Sequence, residues 1–325
     1  MKVHTKFSGE LRFRVFSADQ LDSAGELLAD ATPKVDTGFN PQLITDAFFE
    51  SYIGTGTDSR ESFFAYMGVG TGTATPAVSD TTITQLGTRF ARYGSGSGSV
   101  VSNTIEQSSE YRTTQGQIVG TISEVALFTG STGGQTNMRS LIKDGGGAPT
   151  TLTLTSTDFL YVTWRVTSTV NLSDQTGTIV LGGVTYDYVM RPTYWTSGSL
   201  EPSGSTNVFA CATYVQAGNS FGLDYVLAGS TQTLASVTSA PSAGTSWSTS
   251  MALSAYTAAS KQRKVTYTSS IGDGNVSGGI GCLVFRGSSQ ASGYQISFSA
   301  QGTGNKIPKD NTKTMTIGIT FSFGR

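Results

Sequence analysis

The sequence predicts a mainly β protein made of two antiparallel β-sandwich-like domains, with one amphipathic helix in the first domain. Runs that alternate apolar and polar residues recur along the chain, and turn residues separate them about every 8–12 positions. Only 13% of the 325 residues are charged, against roughly 25% in an average domain, and Ser, Thr and 40 glycines take their place. The 17 Phe and 13 Tyr supply enough apolar surface for a packed core, which argues against a disordered chain.

One helix is predicted, over residues 41–53. Asn40 suits the N-cap, Pro41 suits the first helical position, and Gly54 is placed to end the segment. Apolar residues at three- and four-residue spacing form a single stripe that we expect to pack on a sheet: Leu43, Ile44, Ala47, Phe48 and Tyr52.

Strand-like runs flank this helix on both sides. In the first half they cover residues 5–16, 63–69, 88–93, 100–111, 117–128, 151–154, 160–166, 178–181 and 184–190. The Gly182-Gly183 pair between the last two suits a tight hairpin turn. In the second half the runs cover residues 208–215, 222–227, 251–256, 264–268, 280–285, 294–298 and 315–323.

The predicted domain boundary lies where a Ser-, Gly- and Pro-rich stretch interrupts this pattern. It divides the chain into a first domain over residues 1–195, a linker over 196–206, and a second sandwich or jelly-roll-like domain over 207–325. No repeat of fixed period is found, which argues against a solenoid or propeller.

Net charge, apolar runs and cysteine content limit the classes of partner and the compartment that the sequence predicts. The net charge is −1 and no polybasic run occurs, so the sequence gives no indication of nucleic-acid binding. No apolar run approaches the ~20 residues of a membrane-spanning helix, and residues 1–6 do not resemble a secretory signal. Cys211 and Cys282 are expected to be buried, reduced thiols, and a cytoplasmic site of synthesis follows.

Two motifs suggest enzymes but lack the required partners. The glycines of residues 68–72 are followed by Thr73-Ala74-Thr75-Pro76, not by the helix that a dinucleotide needs at its phosphates. Residues 218–222 fit a nucleophile elbow around Ser220, but the single histidine, His4, lies near the N-terminus. Both are predicted to be turns.

Metal and acid–base sites are not indicated either. The stretch that begins at Asp273 resembles a calcium loop, but its twelfth position is Val284, where a glutamate is required. Asp158 and Glu124 are expected to be exposed or hydrogen-bonded carboxylates without a catalytic role. The sequence therefore predicts no catalytic residue, no cofactor and no metal ion.

Three segments, taken in chain order, resemble a module of tailed-bacteriophage virion proteins. The first runs from Gly68 to Thr82 and reads Gly-Val-Gly-Thr-Gly-Thr-Ala-Thr-Pro-Ala-Val-Ser-Asp-Thr-Thr. The others are Glu124-Val125-Ala126-Leu127-Phe128 and Asp158-Phe159-Leu160-Tyr161-Val162-Thr163-Trp164. Residues 309–325 also resemble the final strand of such proteins, which are of the tail-fibre, tail-appendage or collar type.

The resemblance implies a non-enzymatic structural protein of the virion, made in the host bacterial cytoplasm. It would associate with copies of itself, as a trimer or a six- or twelve-fold ring, and with other virion proteins. An alternative is an adhesin that binds a host-surface glycan, with Tyr194, Trp195 and Trp247 as the exposed aromatic candidates. A third is a glycan hydrolase, which needs two facing carboxylates about 5–10 Å apart.

Self-association is also expected from uncharged strands such as residues 151–154 and 315–323, since open strand edges pair across chains. The C-terminal strand is the candidate assembly strand and is expected to be paired within a sheet. Its alternating apolar residues are Met315, Ile317, Ile319, Phe321 and Phe323.

Overall fold

The computed structural model describes residues 1–23, 25–55, 64–101, 103–193, 215–216, 220–221, 225–247, 249–286 and 293–325. Most of these residues lie in strands, and one short helical segment accompanies them, so the predicted mainly β class is confirmed.

The first half of the chain forms strands β1 to β13 and the helical elements. In chain order the strands are β1 (Lys2–Ser17), β2 (Val35–Asp36), β3 (Asn40–Ile44), β4 (Tyr66–Gly70), β5 (Gln85–Val101), β6 (Thr104–Arg112), β7 (Gly120–Ile122), β8 (Glu124–Phe128), β9 (Thr136–Leu141), β10 (Leu152–Leu154), β11 (Asp158–Val170), β12 (Gln175–Leu181) and β13 (Val184–Thr193). The helical elements are a 3-10 turn at Ala18–Gln20, α1 (Asp46–Phe49) and a π-helical turn at Glu50–Thr55.

The second half of the chain forms strands β14 to β22. They are β14 (Val215–Gln216), β15 (Ser220–Phe221), β16 (Tyr225–Gly229), β17 (Thr245–Trp247), β18 (Thr249–Leu253), β19 (Gln262–Ser269), β20 (Cys282–Arg286), β21 (Gly293–Ala300) and β22 (Met315–Gly324).

Eight strands of the first half close into a barrel, in the order β11-β6-β5-β4-β8-β9-β3-β1, with β1 pairing back onto β11. This corrects the sandwich predicted for the first half. The reason is the length of β1, which pairs with β11 from Thr5 to Ser17 along one edge. The other edge of β1 pairs in succession with β22, β3 and β2. Both edges of β1 are therefore paired, and the sheet closes into a barrel.

The barrel is filled by residues that alternate along its strands, as expected for a period of two. Every second side chain of β1 from Val3 to Val15 is buried except at Gly9, which has none. Trp164 on β11 is fully buried and its ring lies 4.3 Å from that of Phe64, measured between centroids. These aromatic contacts form the centre of the core.

A second group of strands packs beside the barrel. The order β1-β22-β19-β18 extends the barrel sheet, and β12-β13-β21-β20-β16-β17 form a separate six-stranded sheet. The two sheets meet through buried side chains, for example Tyr267 of β19 and Phe285 of β20, whose ring centroids are 5.0 Å apart.

The predicted linker, residues 196–206, lies outside the described residues, so this boundary stays a prediction. The sheet pairing nevertheless joins the two predicted domains. β13 pairs with β21 from Tyr186↔Ala300 to Thr193↔Gly293, and β1 pairs with β22 from Lys2↔Thr320 to Lys6↔Gly324.

The helix predicted over residues 41–53 is wrong in its first part. Asn40–Ile44 is strand β3, which pairs with β1 at Gly9↔Gln42 and with β9 at Ile44↔Met138. Helical structure begins only at Asp46. As a strand, residues 40–44 pair with the otherwise unpaired edges of β1 and β9. This tertiary pairing overrides a helical pattern that is so short. Phe48 is fully buried, as predicted.

The C-terminal strand is paired within a sheet, as predicted. β19 covers one edge from Met315 to Ser322, and β1 covers the other from Thr320 onwards. The five alternating apolar residues are all buried, with Ile319 fully so. Every residue of β22 is therefore paired on at least one edge, and the strand is not the free edge that the sequence suggested.

Candidate functional site

The segment Gly68–Thr82, which carries most of the resemblance, begins in β4 and continues as the loop that leads to β5. The loop between Gly70 and Gln85 contains no helix, so the glycines do not open onto a helix N-terminus. Instead the loop folds over Glu124, the first residue of β8. The Oε1 atom of Glu124 accepts hydrogen bonds from the backbone N–H of Gly72 at 2.9 Å and of Thr84 at 2.7 Å.

Arg139 on β9 completes this arrangement. Its Nε and Nη2 both donate to Oε2 of Glu124, at 2.9 and 2.7 Å, and Nη2 also donates to the carbonyl of Ala74 at 3.0 Å. Its Nη1 donates to Oδ2 of Asp80 at 2.5 Å. We call Glu124, Arg139 and Asp80 the ionic lock, because they hold the loop at both of its ends.

The ionic lock places one guanidinium between two carboxylates. Glu124 is fully buried and Arg139 is nearly so. Burial alone would raise the pKa of Asp80, but the N–H of Ala77 and the Arg139 guanidinium outweigh it and hold that pKa below its ordinary value. Burial likewise opposes the charge on Arg139, and its two carboxylate partners raise its pKa instead. Asp80 and Arg139 are therefore both held in their charged forms.

Two glycines make the lock possible. A Cβ at Gly72 would collide with Oε1 of Glu124, and one at Gly70 would lie 2.5 Å from the Thr84 carbonyl and 2.8 Å from the same Oε1. Each oxygen of Glu124 already accepts two hydrogen bonds, so the carboxylate has no free position for a substrate proton. The arrangement suits a fixed loop better than acid–base chemistry.

A second polar cluster fastens the C-terminal half to the helical segment. Asp46 at the start of α1 forms an ion pair with Lys261 at 2.9 Å and another with Arg325. Glu50 accepts hydrogen bonds from the Tyr256 hydroxyl at 2.7 Å and from the backbone N–H of Ala259 at 2.8 Å. This cluster ties the barrel to the strands beside it.

The ammonium of Lys309 lies at the start of the calcium-like loop. The Nζ of Lys309 donates to the carbonyls of Ser270 and Ile271, both at 3.2 Å, and to Oδ1 of Asn275 at 2.9 Å. Lys309 is 5% exposed. Of these three acceptors, Asn275 belongs to the stretch that begins at Asp273 and the other two precede it, so Lys309 stabilises the turn that leads into this loop.

The surface aromatics predicted for glycan binding are not brought together in the described part of the chain. Tyr194 and Trp195 lie outside the described residues. Trp247 is 3% exposed, and its ring packs beside Gly274, so the prediction that it is a surface residue is wrong. Its place on β17 turns the ring into the core between the sheets. The five apolar residues of the candidate assembly strand are likewise buried.

Ser220 of the predicted elbow, His4 and Asp158 each lie in a strand. Of the predicted elbow, only Ser220 and Phe221 are described, and they form the short strand β15. His4 lies near Ser322, with Nδ1 3.1 Å from its hydroxyl oxygen. Asp158 is a hydrogen-bonded carboxylate, as expected, and accepts from Lys34 at 2.6 Å and from Thr155.

Sequence reasoning missed Arg139 and Lys309, which carry the two best-formed polar sites. No local signal marks them, because their partners lie 15 and 34 or more residues away.

Among the described residues no group of three or more His, Cys, Asp and Glu side chains could hold a metal ion, and none of the described helices is long and apolar enough to cross a membrane. Comparisons with protein families, curated proteins and solved structures gave no match to this chain.

Proposed function

We propose that the chain is a non-enzymatic structural component of a tailed-phage virion, in the tail, collar or fibre apparatus. It acts by associating with copies of itself and by docking onto neighbouring virion proteins. The ionic lock is the observation that carries this proposal. Its charged side chains fix the loop of the Gly68–Thr82 segment. Both carboxylate oxygens of Glu124 are used in hydrogen bonds, so none is left for acid–base catalysis.

The fold supports the same role. Most of the described residues lie in paired strands, and the cluster around Asp46 and Glu50 fastens the barrel to the strands beside it. A rigid β body with fixed loops suits a particle component that must present one surface repeatedly. The three strands β22, β19 and β18, facing the six-stranded sheet, support a sandwich-like second half.

The alternative of a glycan-binding adhesin has less support. It depended on three aromatic side chains at the surface, and Trp247 is removed from that set by its burial.

The test is to purify particles of the phage whose genome encodes this chain and to analyse them by mass spectrometry and by immunogold electron microscopy. We expect the chain in particles at a fixed copy number and the gold label at one site on the tail. Absence of the chain from purified infectious particles would overturn the proposal.

A further inference from the structure

Strands β12 and β17 stand at the two edges of the six-stranded sheet, and β12 is the longer of them. Among the described residues, β12 pairs only with β13, so its second edge faces outwards. Strands that stand at an edge are usually protected by Lys, Pro or a bulge. β12 reads Gln-Thr-Gly-Thr-Ile-Val-Leu, contains none of these residues, and pairs with β13 without a register shift.

The hairpin turn determines which backbone groups point outwards. Gly182 and Gly183 have φ angles of 57° and 79° and form the two-residue turn, which makes Leu181 and Val184 a hydrogen-bonded pair. By the alternation of antiparallel pairing, the N–H and C=O groups of Thr176, Thr178 and Val180 therefore point away from β13. These three residues are exposed.

The side chains and charges around this edge suit a partner identical to itself. Val180 is 64% exposed, the most exposed large apolar side chain described. β12 has no charge, and the preceding Asp174 is neutralised by Arg191, with oxygen–nitrogen distances of 2.6 and 2.7 Å. Two copies can therefore approach edge to edge without placing like charges opposite one another.

The neighbouring groove is also free of uncompensated charge. It has a volume of about 580 Å³ and lies between the β12–β13 hairpin and residues 307–316. Its two lysines are engaged, Lys309 with loop carbonyls and Lys313 with Asp310 at 2.6 Å.

We propose that β12 is a self-association edge, which pairs antiparallel with β12 of a second copy about a two-fold axis at Thr178. This inference rests on the proposed function, since it names the surface through which copies associate. Thr178 then faces its own counterpart, and Val180 faces Thr176 of the second copy. Outward groups of the three residues form about six backbone hydrogen bonds, and the two sheets become one. A two-fold contact builds dimers or even-numbered rings and does not by itself build a trimer.

The experiment measures the mass of the purified full-length chain by sedimentation velocity across a concentration series. We expect even-numbered oligomers for the unchanged chain. T178K and T178E place like charges across the axis, so each alone should weaken association at least tenfold. An equimolar mixture of the two should recover it, because Lys then faces Glu. A252K, an exposed position on the edge strand β18, is the matched control and should not change the mass.

Each outcome decides something. Oligomers that persist unchanged in T178K, or a mixture that recovers nothing, overturn the β12 interface while self-association by another surface stands. A chain that is monomeric at every concentration overturns the interface as well. Its presence in purified particles would then still support the proposed function. Circular dichroism melting of each variant shows whether a loss of mass reflects unfolding. If T178K and T178E unfold, V180K and T176E are measured in their place, because these two positions face each other across the axis and their mixture should recover association.

Discussion

Arg139 of β9 extends diagonally to the neighbouring strand β8, where it binds Glu124. Its Cα pairs with Ala126 of β8, and its side chain extends two residue pairs along the ladder to the buried carboxylate. Two of its nitrogens meet the same oxygen, Oε2, at 2.9 and 2.7 Å. The contact joins the loop after β4 to strands β8 and β9. We therefore expect the Gly68–Thr82 segment to be most sensitive to mutation at this contact.

Breaking this pair should strongly destabilise the chain. Arg139→Leu leaves the Glu124 carboxylate buried and without its cation, which costs about 3–5 kcal/mol in the free energy of unfolding. The measurement is equilibrium denaturation in urea. Arg12→Leu is the control. It removes an ion pair with Asp36 in which both side chains are about one-third exposed, and it should cost at most about 1 kcal/mol.

The double variant Glu124→Leu/Arg139→Leu tests whether the lock holds the loop through its backbone. It leaves no fully buried charge, but Asp80 loses its cation partner and the N–H groups of Gly72 and Thr84 lose their acceptor. We therefore expect it to remain less stable than the unchanged chain by about 1–3 kcal/mol per orphaned group. Full recovery of stability would show that the carboxylate matters only as a partner of Arg139.

Gly72→Ala should destabilise the same loop from its other side. The new methyl group meets Oε1 of Glu124, a buried atom that cannot move away without losing its hydrogen bonds. We expect a loss of about 1–3 kcal/mol, as for other overpacked sites. Gly244→Ala, where a Cβ meets nothing within 4 Å, is the control and should be close to neutral in the same thermal melt. Equal melting temperatures for both variants would contradict the loop placement.

Phe48→Ala should remove a central part of the barrel core. Phe48 is fully buried, and its ring centroid lies 5.9 Å from that of Phe7 and 5.7 Å from that of Phe64. Truncation of a core aromatic costs about 3–5 kcal/mol. Phe39, which is 37% exposed, provides the control, and Phe39→Ala should cost well under half as much. A neutral Phe48→Ala in denaturant titration would remove Phe48 from the core.

Acid should weaken the fold partly through Asp158. Burial alone would raise the pKa of this carboxyl, but Lys34 and two hydrogen bonds from Thr155 hold the pKa below its ordinary value. A lowered folded-state pKa gives stability that is present above the unfolded pKa of about 4 and is lost as the pH falls through the folded value. The free energy of unfolding should therefore fall from pH 5 towards pH 2. Asp158→Asn should be less stable at pH 5 and should lose less over this range; an unchanged slope would exclude this carboxyl as a contributor.

Deleting residues 314–325 should prevent stable folding. The deletion removes β22, which lies between β1 and β19, and exposes the apolar side chains of both neighbours. It also removes Arg325, which pairs with Asp46 at the start of α1. We expect the truncated chain to be insoluble or to lack a cooperative melting transition. A truncated chain with an unchanged transition would show β22 to be dispensable.

Some of this architecture could be predicted from the sequence because the signal is local. The alternation along residues 5–16 and 315–323 indicates half-buried strands, and β1 and β22 cover these segments. The Gly182-Gly183 turn was equally visible, and it joins β12 to β13. In each case the period of two or the turn residue acts within a few positions.

The rest depends on partners far along the chain. The pattern around Asn40–Ile44 fits one face of a helix, but the open edges of β1 and β9 select a strand. Barrel closure requires β1 and β11 to meet about 150 residues apart, and alternation within each strand cannot indicate that pairing. The ionic lock is of the same kind, because nothing near Arg139 in sequence distinguishes it from a surface arginine.

The parallel pairing of β1 with β22 has a consequence for how the protein is made. Lys2 is opposite Thr320, so β1 waits for a strand that is synthesised more than 300 residues later. Contacts with so large a sequence separation form slowly, because the loop between them must be closed first. Until β22 has been synthesised, part of the second edge of β1 stays unpaired on the nascent chain. We therefore expect this fold to be completed only after β22 has left the ribosome, with the free edge of β1 as the surface that a chaperone would shield.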